Sequence, residues 1–241
     1  DFAPKAVICN PDRPAGRKKI ITPPPVKILA QKNNIQVFQP EKLTEVKNEL
    51  KNFGADFFLV TAYAKIIPKE ILSIPKFGAI GIHPSLLPHH RGATPIQSAI
   101  LSSDEVNGVT LYLLDEKIDH GQIIAGRELK IEEDDNYETL AKKLAILGAE
   151  LTIKTIPDYL NGKIELQTQN ETYATYTKKF RTEDAFVDLN KDKPEMILRK
   201  IRALNPEPGV WTMQNSKRMK ILEAQLVDGK LKLKKIQFEG K

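Results

Sequence analysis

The sequence predicts an α/β fold with a parallel sheet, followed by a small β-rich unit that we expect to form a barrel. Three observations lead to this prediction. In the first half, short β-type runs alternate with helical patterns, as crossover units on a parallel sheet require. Beyond residue 167 the chain turns polar and then β-rich. Positive charge also gathers late, because residues 178–241 carry 16 Lys and Arg against 9 Asp and Glu, while residues 1–177 carry 21 against 22.

The first half can be justified element by element. Proline suits the first turn of a helix, and the continuous apolar run at residues 57–60 is typical of a buried parallel strand. The acidic residues 132–135 complement the dipole of the helix that follows them. Residues 11–25 form a loop punctuated by Pro and Gly. The expected strands are 6–9, 35–38, 57–60, 77–82, 109–114 and 122–129, and the expected helices begin at Pro25, Thr44, Pro68, Pro95 and Asn136.

The last quarter of the chain predicts a second unit. A short helix is expected over 194–204, and β-type runs lie at 210–213, 219–224 and 231–238, with turn residues between them. We therefore expect one domain over residues 1–167, a linker over 168–181 and a β-rich domain over 182–241. About 60 residues is few for an independent core.

Composition excludes several classes of protein. The chain has 241 residues, of which 41% are hydrophobic, and it contains no 18-residue apolar run. Cys9 is the single cysteine, so an intramolecular disulfide is excluded and a reducing, cytoplasmic location is expected. No signal peptide is evident, although the sequence begins with Asp1 rather than Met. The basic excess at the C-terminal end fits a polyanionic partner or an ordinary Lys-rich surface.

Two loops carry candidate chemistry. His83 lies in the Pro- and Gly-rich loop 81–92 directly after a strand, and Asp119 lies in loop 115–121 between two strands. Such a pair can perform acid–base catalysis, or His83 can simply pack in a turn that Asp119 helps to begin. The adjacent His89 and His90 lack further ligands at metal-binding spacing, so we expect a polar loop and no metal.

Four motifs resemble those of the methionyl-tRNA formyltransferases, in the same order along the chain. Ser85-Leu86-Leu87-Pro88 after His83, continuing through residues 91–97, resembles the catalytic and folate-binding loop of that family. Residues 10–17 resemble its tRNA-contacting loop, and residues 108–110 with 118–121 resemble its Asp-bearing segment. Residues 201–209 resemble the opening of its C-terminal domain.

The resemblance implies a Rossmann-like formyltransferase domain joined to an OB-like barrel that binds tRNA. It also implies transfer of a formyl group from 10-formyltetrahydrofolate to methionyl initiator tRNA, by a monomer that needs neither metal nor membrane. The catalytic residues would be His83 and Asp119, with His83 donating toward the formyl oxygen and Asp119 orienting His83 and taking up the proton. The remaining implied residues are Ser85, Leu86, Leu87, Pro88 and Tyr63 for folate, and Arg17, Lys18, Lys19 and Arg202 for tRNA.

The chain departs from the family pattern at the catalytic Asn, whose position is occupied by Gly81. The side-chain amide expected to help hold the oxyanion is therefore missing. We expect a backbone N–H or a bound water to replace it, because glycine leaves room for one. The resemblance also implies a strand and a helix before Ala6 and a barrel that extends past Lys241, so we expect a chain clipped at both ends, with a gap at the centre of the sheet.

Two alternatives stay open at this stage. One is a 10-formyltetrahydrofolate-dependent enzyme that formylates a small amine, such as a sugar amine or glycinamide ribonucleotide. The other is an inactive relic that binds tRNA or folate. The basic residues near Arg17 and the segment 202–209 argue against a small substrate, whereas Gly81 motivates the relic.

Overall fold

The structure is a computed structural model that describes residues 3–16, 18–63 and 65–239. Its elements confirm the alternating α/β order and fall within a few residues of the expected ones. The helix expected from Thr44 differs, since it starts as a 3₁₀ turn over Leu43–Val46. In chain order the elements are β1 (Ala6–Ile8), β2 (Arg13–Ala15), β3 (Ile20–Thr22), α1 (Pro25–Lys32), β4 (Gln36–Phe38), α2 (Lys47–Asn52), β5 (Phe58–Thr61), α3 (Lys69–Leu72), β6 (Ala79–His83), β7 (Arg91–Gly92), α4 (Pro95–Ser102), β8 (Val106–Leu113), β9 (Ile123–Lys130) and α5 (Tyr137–Leu160).

The main sheet has four strands in the order β5, β6, β8, β9. Strands β5 and β6 are parallel, as predicted, but β8 runs antiparallel to β6 and β9 antiparallel to β8. The connection from β8 to β9 covers only residues 114–122. A parallel return needs a crossover of a dozen or more residues, so this short loop forces the antiparallel arrangement.

A second parallel pair, β1 with β4, forms its own two-stranded sheet. Within the described residues neither strand is hydrogen-bonded to β5, so this pair and the main sheet are separate. A small core of Leu43, Leu50 and Ile71 holds the two sheets together, because Ile8 of β1 and Phe58 of β5 both pack against it.

The Pro- and Gly-punctuated segment 11–25, expected to be a loop, contains the antiparallel hairpin β2–β3. Gly16 and Lys19 have positive φ angles and lie in its turn, where the Lys19 N–H donates to the Gly16 carbonyl. Asp12 fixes the base of the hairpin by accepting from Lys27 Nζ and Gln39 Nε2. The hairpin is therefore a defined projection from the domain.

Helix α5 covers one face of the main sheet. It begins at the capping residue Asn136, whose side chain accepts from the Thr139 N–H while the Thr139 hydroxyl accepts from the Asn136 N–H. Its Leu140, Leu144 and Leu147 are buried in the main core. Although α5 is the longest helix, none of the helices in the described residues is long and apolar enough to cross a membrane.

The C-terminal unit consists of a helix and a small sheet. Strands β11, β12 and β13 form an open antiparallel meander across residues 211–238, with irregular pairing near Glu223. The expected barrel is not closed within the described residues, because three strands are too few for the five-stranded OB architecture. The elements are β10 (Tyr176–Thr177), α6 (Pro194–Leu204), β11 (Trp211–Gln214), β12 (Lys217–Val227) and β13 (Lys230–Phe238).

Helix α6 has the bounds that the sequence predicts, and it packs against both α4 and α5. Its Ile197 and Ile201 belong to the same core as Leu144 of α5 and Ile221 of β12. One hydrophobic core therefore runs from the main sheet into the C-terminal unit.

Candidate active site

His83 ends strand β6 and is 6% exposed. Its Nε2 lies 3.0 Å from the carbonyl oxygen of His90, which can only accept, so Nε2 carries a hydrogen. Nδ1 lies 3.7 Å from Asp119 Oδ2. Burial lowers the pKa of His83, although the nearby Asp119 opposes this shift. In the neutral form Nδ1 therefore presents a lone pair, and donation from this atom requires its protonation.

Asp119 reaches His83 by a different route from the one that the sequence predicts. Because β8 is antiparallel to β6, His83 pairs with Thr110 and the end of β8 lies beside Ile80. The loop after β8 must fold back to bring Asp119 to the histidine. There Asp119 adopts a left-handed backbone conformation and accepts two hydrogen bonds of 2.6 Å, from the Gly92 N–H and the Tyr112 hydroxyl.

The loop after His83 is held by Thr110 of the neighbouring strand β8. Thr110 Oγ1 donates to the Ser85 carbonyl at 2.7 Å and accepts from the Leu87 N–H at 3.0 Å. The side chains of Ser85 and Leu87 are buried, while Leu86 and Pro88 are partly exposed. Gly108 of β8 allows the close approach of Leu86, since a Cβ there would lie 2.6 Å from Leu86 Cδ2.

Folate binding by this segment stays a prediction. Among the residues after His83 that are predicted to bind folate, Leu86 and Pro88 are the partly exposed ones. Tyr63 follows β5 and packs against the small core around Leu50.

A buried arginine joins this loop to the polar linker. Arg91 is fully buried, and its guanidinium donates to Gln169 Oε1, to both carboxylate oxygens of Glu171 and to the Tyr176 hydroxyl. Strand β10 of the linker also pairs with β7, the short strand that begins at Arg91. We call Arg91, Gln169 and Glu171 the linker clamp.

The linker clamp extends to Asp119. The amide nitrogen of Gln169, itself 6% exposed, donates to the backbone carbonyls of Asp119 at 2.9 Å and Gly121 at 2.7 Å. The sequence predicts only a polar linker over residues 168–181, and it offers no periodic signal for this contact. The linker is in fact part of the candidate site, since it contacts both the loop after His83 and the loop that carries Asp119.

Gly81 lies on the same face of β6 as His83, but it does not leave the expected room. A Cβ at this position would lie 2.4 Å from Tyr112 Cε1 and 2.8 Å from Leu114 Cδ1. The expectation that glycine opens space for a water is therefore wrong for this position. The ring of Tyr112 occupies that space, and sequence reasoning missed it because Tyr112 looks like an ordinary strand residue.

The residues predicted to bind tRNA lie in two places. Lys18 and Lys19 are exposed at the tip of the β2–β3 hairpin, and Arg17 lies outside the described residues. Arg202 of α6 donates from Nε to the Asp135 carbonyl at 2.7 Å, at the acidic turn before α5. Its side chain thus joins the two units, and its contact with tRNA stays a prediction.

In the His-rich part of the loop after His83, one histidine contacts a carboxylate. His90 Nε2 lies 2.7 Å from Asp104 Oδ2. Across the described ranges, no group of three His, Cys, Asp or Glu side chains is arranged to hold a metal ion.

An α/β domain joined to a small β unit is the arrangement of a formyl-transferring enzyme. The chain belongs to the formyl transferase family, whose formyl transferase model matches residues 4–156 and whose C-terminal domain model matches residues 179–241. Its relatives include the methionyl-tRNA formyltransferase of Staphylococcus aureus strain MW2, 40% identical over 92% of this chain and 72% of that protein. The corresponding protein of Staphylococcus epidermidis ATCC 12228 is 41% identical over 93% and 73%.

Solved structures support the same fold at low identity. A methionyl-tRNA formyltransferase from Clostridium thermocellum has a TM-score of 0.66 and 21% identity, covering 88% of this chain and 91% of its own. HypX from Aquifex aeolicus in complex with tetrahydrofolic acid has a TM-score of 0.67 and 20% identity, covering 80% and 34%. A 4-N formyltransferase from Francisella tularensis has a TM-score of 0.69 and 21% identity, covering 95% and 87%.

The burial of neutral His83 predicts a pH dependence of folding. The unfolded chain binds a proton at this residue as the pH falls below about 6.5, whereas the native state resists protonation because its pKa is lower. The free energy of unfolding should therefore fall as the pH drops through this range. Urea unfolding of the wild type and His83→Gln between pH 7.5 and 5.5 measures it, and the variant should show the weaker dependence. His89→Gln, at an exposed position, is the control, and equal dependence in wild type and His83→Gln would contradict the prediction.

Proposed function

We propose that this chain transfers a formyl group from 10-formyltetrahydrofolate to the amino group of methionine on initiator tRNA. The observation that carries the proposal is the 40% identity, over 92% of the chain, to relatives named methionyl-tRNA formyltransferase. The likeness covers the catalytic and the C-terminal domain alike. The His83–Asp119 geometry supports an acyl-transfer reaction at the same place.

Formyl transfer to an amine needs a proton acceptor and a group that stabilises an oxyanion. The amine attacks the formyl carbon, a tetrahedral oxyanion forms, and the nitrogen loses a proton before N10 of the folate leaves. The His83–Asp119 pair suits the proton transfer, because Nδ1 presents its lone pair and Asp119 Oδ2, 3.7 Å away, stabilises the imidazolium that forms. The pair then returns the proton to N10.

A discharge assay tests the proposed function directly. Charged initiator tRNA and 10-formyltetrahydrofolate are incubated with the full chain, and the product is scored for N-formylmethionine. Sugar amines and glycinamide ribonucleotide are tested in parallel, since the fold is shared with a 4-N formyltransferase. Formylation of a small amine alone would favour that alternative, and binding of tRNA or folate without turnover would favour an inactive relic.

The basic C-terminal unit supports a polyanionic partner. In β13 the exposed Lys230, Lys232 and Lys234 alternate with the partly buried Leu231 and Leu233, so the three lysines lie on one face of the strand. Regularly spaced lysines fit phosphates without reading sequence. We therefore assign tRNA affinity, rather than recognition of the initiator, to this sheet.

The β2–β3 hairpin should contribute to tRNA binding in a salt-dependent way. We expect Lys18→Ala/Lys19→Ala to raise KM for tRNA and to lower the slope of log KM against log salt by about 1 to 2, because each lost phosphate contact removes about one released counterion. Steady-state kinetics at several salt concentrations measure this, with Arg17→Ala as a further variant. Lys154→Ala, on the exposed face of α5, is the control. An unchanged salt slope would mean that the hairpin tip is only a solvated surface.

A further inference from the structure

We propose that the hydroxyl of Tyr112 is the catalytic donor that replaces the missing family amide at Gly81, and that it stabilises the oxyanion formed on the formyl oxygen. This inference rests on the proposed function, since it assumes formyl transfer at this site. It assigns a role to a residue that none of the family motifs above includes. The evidence comes from volume, hydrogen bonding and proton balance.

The volume argument concerns positions 81 and 112 together. Gly81 and Tyr112 face each other across the β6–β8 ladder. A Cβ on residue 81 would lie 2.4 Å from Tyr112 Cε1 and 2.7 Å from Cζ, which is too close for any side chain. Glycine at 81 is therefore what admits the ring. The phenol oxygen is bonded to Cζ and therefore lies close to the point at which a side chain on residue 81 would begin.

The hydroxyl is placed among the catalytic groups. It donates to Asp119 Oδ1 at 2.6 Å, and the Tyr112 ring lies edge-on to the His83 ring with 6.4 Å between centroids. His83 donates its Nε2 hydrogen to the His90 carbonyl. The phenol hydrogen is thus the one that can turn to a new acceptor without breaking the backbone contact of the histidine.

The hydroxyl keeps its hydrogen throughout the working pH range. Burial and the negative charge of Asp119 both raise the pKa of Tyr112 above its ordinary value. A neutral phenol is a suitable oxyanion donor, as tyrosine hydroxyls are in other acyl-transfer and enolisation sites.

The proton balance of the reaction allows the hydroxyl to change acceptor. As the N–C bond forms, the electron pair of the C=O double bond moves to oxygen and the amine proton moves to the His83–Asp119 pair. Protonation of the pair lowers the negative charge beside Tyr112, so its O–H rotates about the Cζ–O bond toward the oxyanion. When the C–N10 bond breaks, N10 takes the electrons of that bond and receives the proton held by His83 and Asp119. The carbonyl re-forms, and the Tyr112 hydroxyl again donates to Asp119.

The first test is Tyr112→Phe, which keeps the ring and removes the hydroxyl. We expect kcat to fall about 10²- to 10³-fold, the usual effect of losing one oxyanion donor, with KM for 10-formyltetrahydrofolate little changed. The control is Tyr159→Phe, which removes the hydroxyl of a partly buried tyrosine whose bond is to the Phe77 carbonyl. Thermal melting of both variants verifies that they are folded.

The second test exchanges the donor between the two positions. Gly81→Asn alone should lose activity because its Cβ meets the Tyr112 ring, and Tyr112→Ala alone should lose it for want of a donor. Gly81→Asn/Tyr112→Ala should recover at least about 10-fold in kcat over Tyr112→Ala, since the ring no longer meets the new Cβ and only the end of the flexible Leu114 side chain, 2.8 Å from that Cβ, must shift.

A third comparison separates a catalytic hydroxyl from one that only positions Asp119. In an Asp119→Asn background, Tyr112→Phe should still lower the residual single-turnover rate about 10-fold or more. No further loss would mean that the hydroxyl acts only through Asp119, which overturns the proposal. Unchanged kcat in Tyr112→Phe, or no recovery in the exchange variant, also overturns it. A wild-type chain that formylates no amine would instead refute the proposed function, so the two failures are distinguishable.

Discussion

Asp119→Asn is expected to lower kcat for formyl transfer about 10³- to 10⁴-fold, as loss of the carboxylate partner of a catalytic histidine does elsewhere. The substitution keeps the shape of the side chain but removes the charge that stabilises a protonated His83, 3.7 Å away. It also changes hydrogen bonding, because Asp119 accepts from both the Gly92 N–H and the Tyr112 hydroxyl. The amide of Asn can accept only through its oxygen, so one of these donors loses its partner.

Steady-state kinetics with saturating tRNA measure the effect, and KM for 10-formyltetrahydrofolate should change little. Asp115→Asn is the matched control, since this carboxylate lies in the same loop but is more exposed and accepts from His120. Because the pair acts as a unit, His83→Ala/Asp119→Asn should be scarcely worse than either single variant. Additive losses in the double variant would argue against a coupled pair.

Gln169→Met is expected to lower kcat about 10- to 100-fold, although residue 169 belongs to the linker and is not itself expected to contact substrate. Methionine fills a similar volume but cannot donate to the Asp119 and Gly121 carbonyls, so the loop that carries Asp119 loses its anchor. The buried Arg91 guanidinium also loses its acceptor on Gln169. Leaving a buried donor without a partner costs about 1–3 kcal/mol, so the free energy of unfolding should fall as well.

Gln167→Met provides the matched control for this linker variant. Gln167 is exposed, and its backbone pairs with that of Ile123 at the start of β9. Its substitution should leave both kcat and the urea midpoint unchanged. Wild-type kcat in Gln169→Met, despite a lower stability, would show that the linker clamp serves folding only.

The sequence predicts well the helices and strands whose pattern depends only on residues within the same element. The apolar run near Phe58, the prolines at the starts of α1 and α4 and the periodic leucines of α5 each depend on neighbours within one element. Helix α6 has its predicted bounds because Pro194 sets its first turn. The antiparallel direction of β8 was not predicted, because apolar runs do not encode the direction of a strand.

The candidate site was predicted only in part, for a similar reason. His83 and Asp119 were identified from their loops and from motif resemblance, and the structure brings them together. Gln169 contacts Asp119 across 50 residues, and its neighbours in the sequence are ordinary polar residues. The relation between Gly81 and Tyr112 exists only once β6 and β8 are in register, so neither residue reveals it alone.

The continuous core described above couples ligand binding to folding. Ile201 of α6 and Leu144 of α5 share one core, so separation of the C-terminal unit would expose apolar surface on the catalytic domain. Any ligand that binds the folded sheet β11–β13 alone therefore stabilises the whole assembly, by about 2.7 kcal/mol at a hundred times its Kd. The tRNA proposed above as the ligand of this sheet would thus raise the free energy of unfolding of the domain that carries His83 and Asp119.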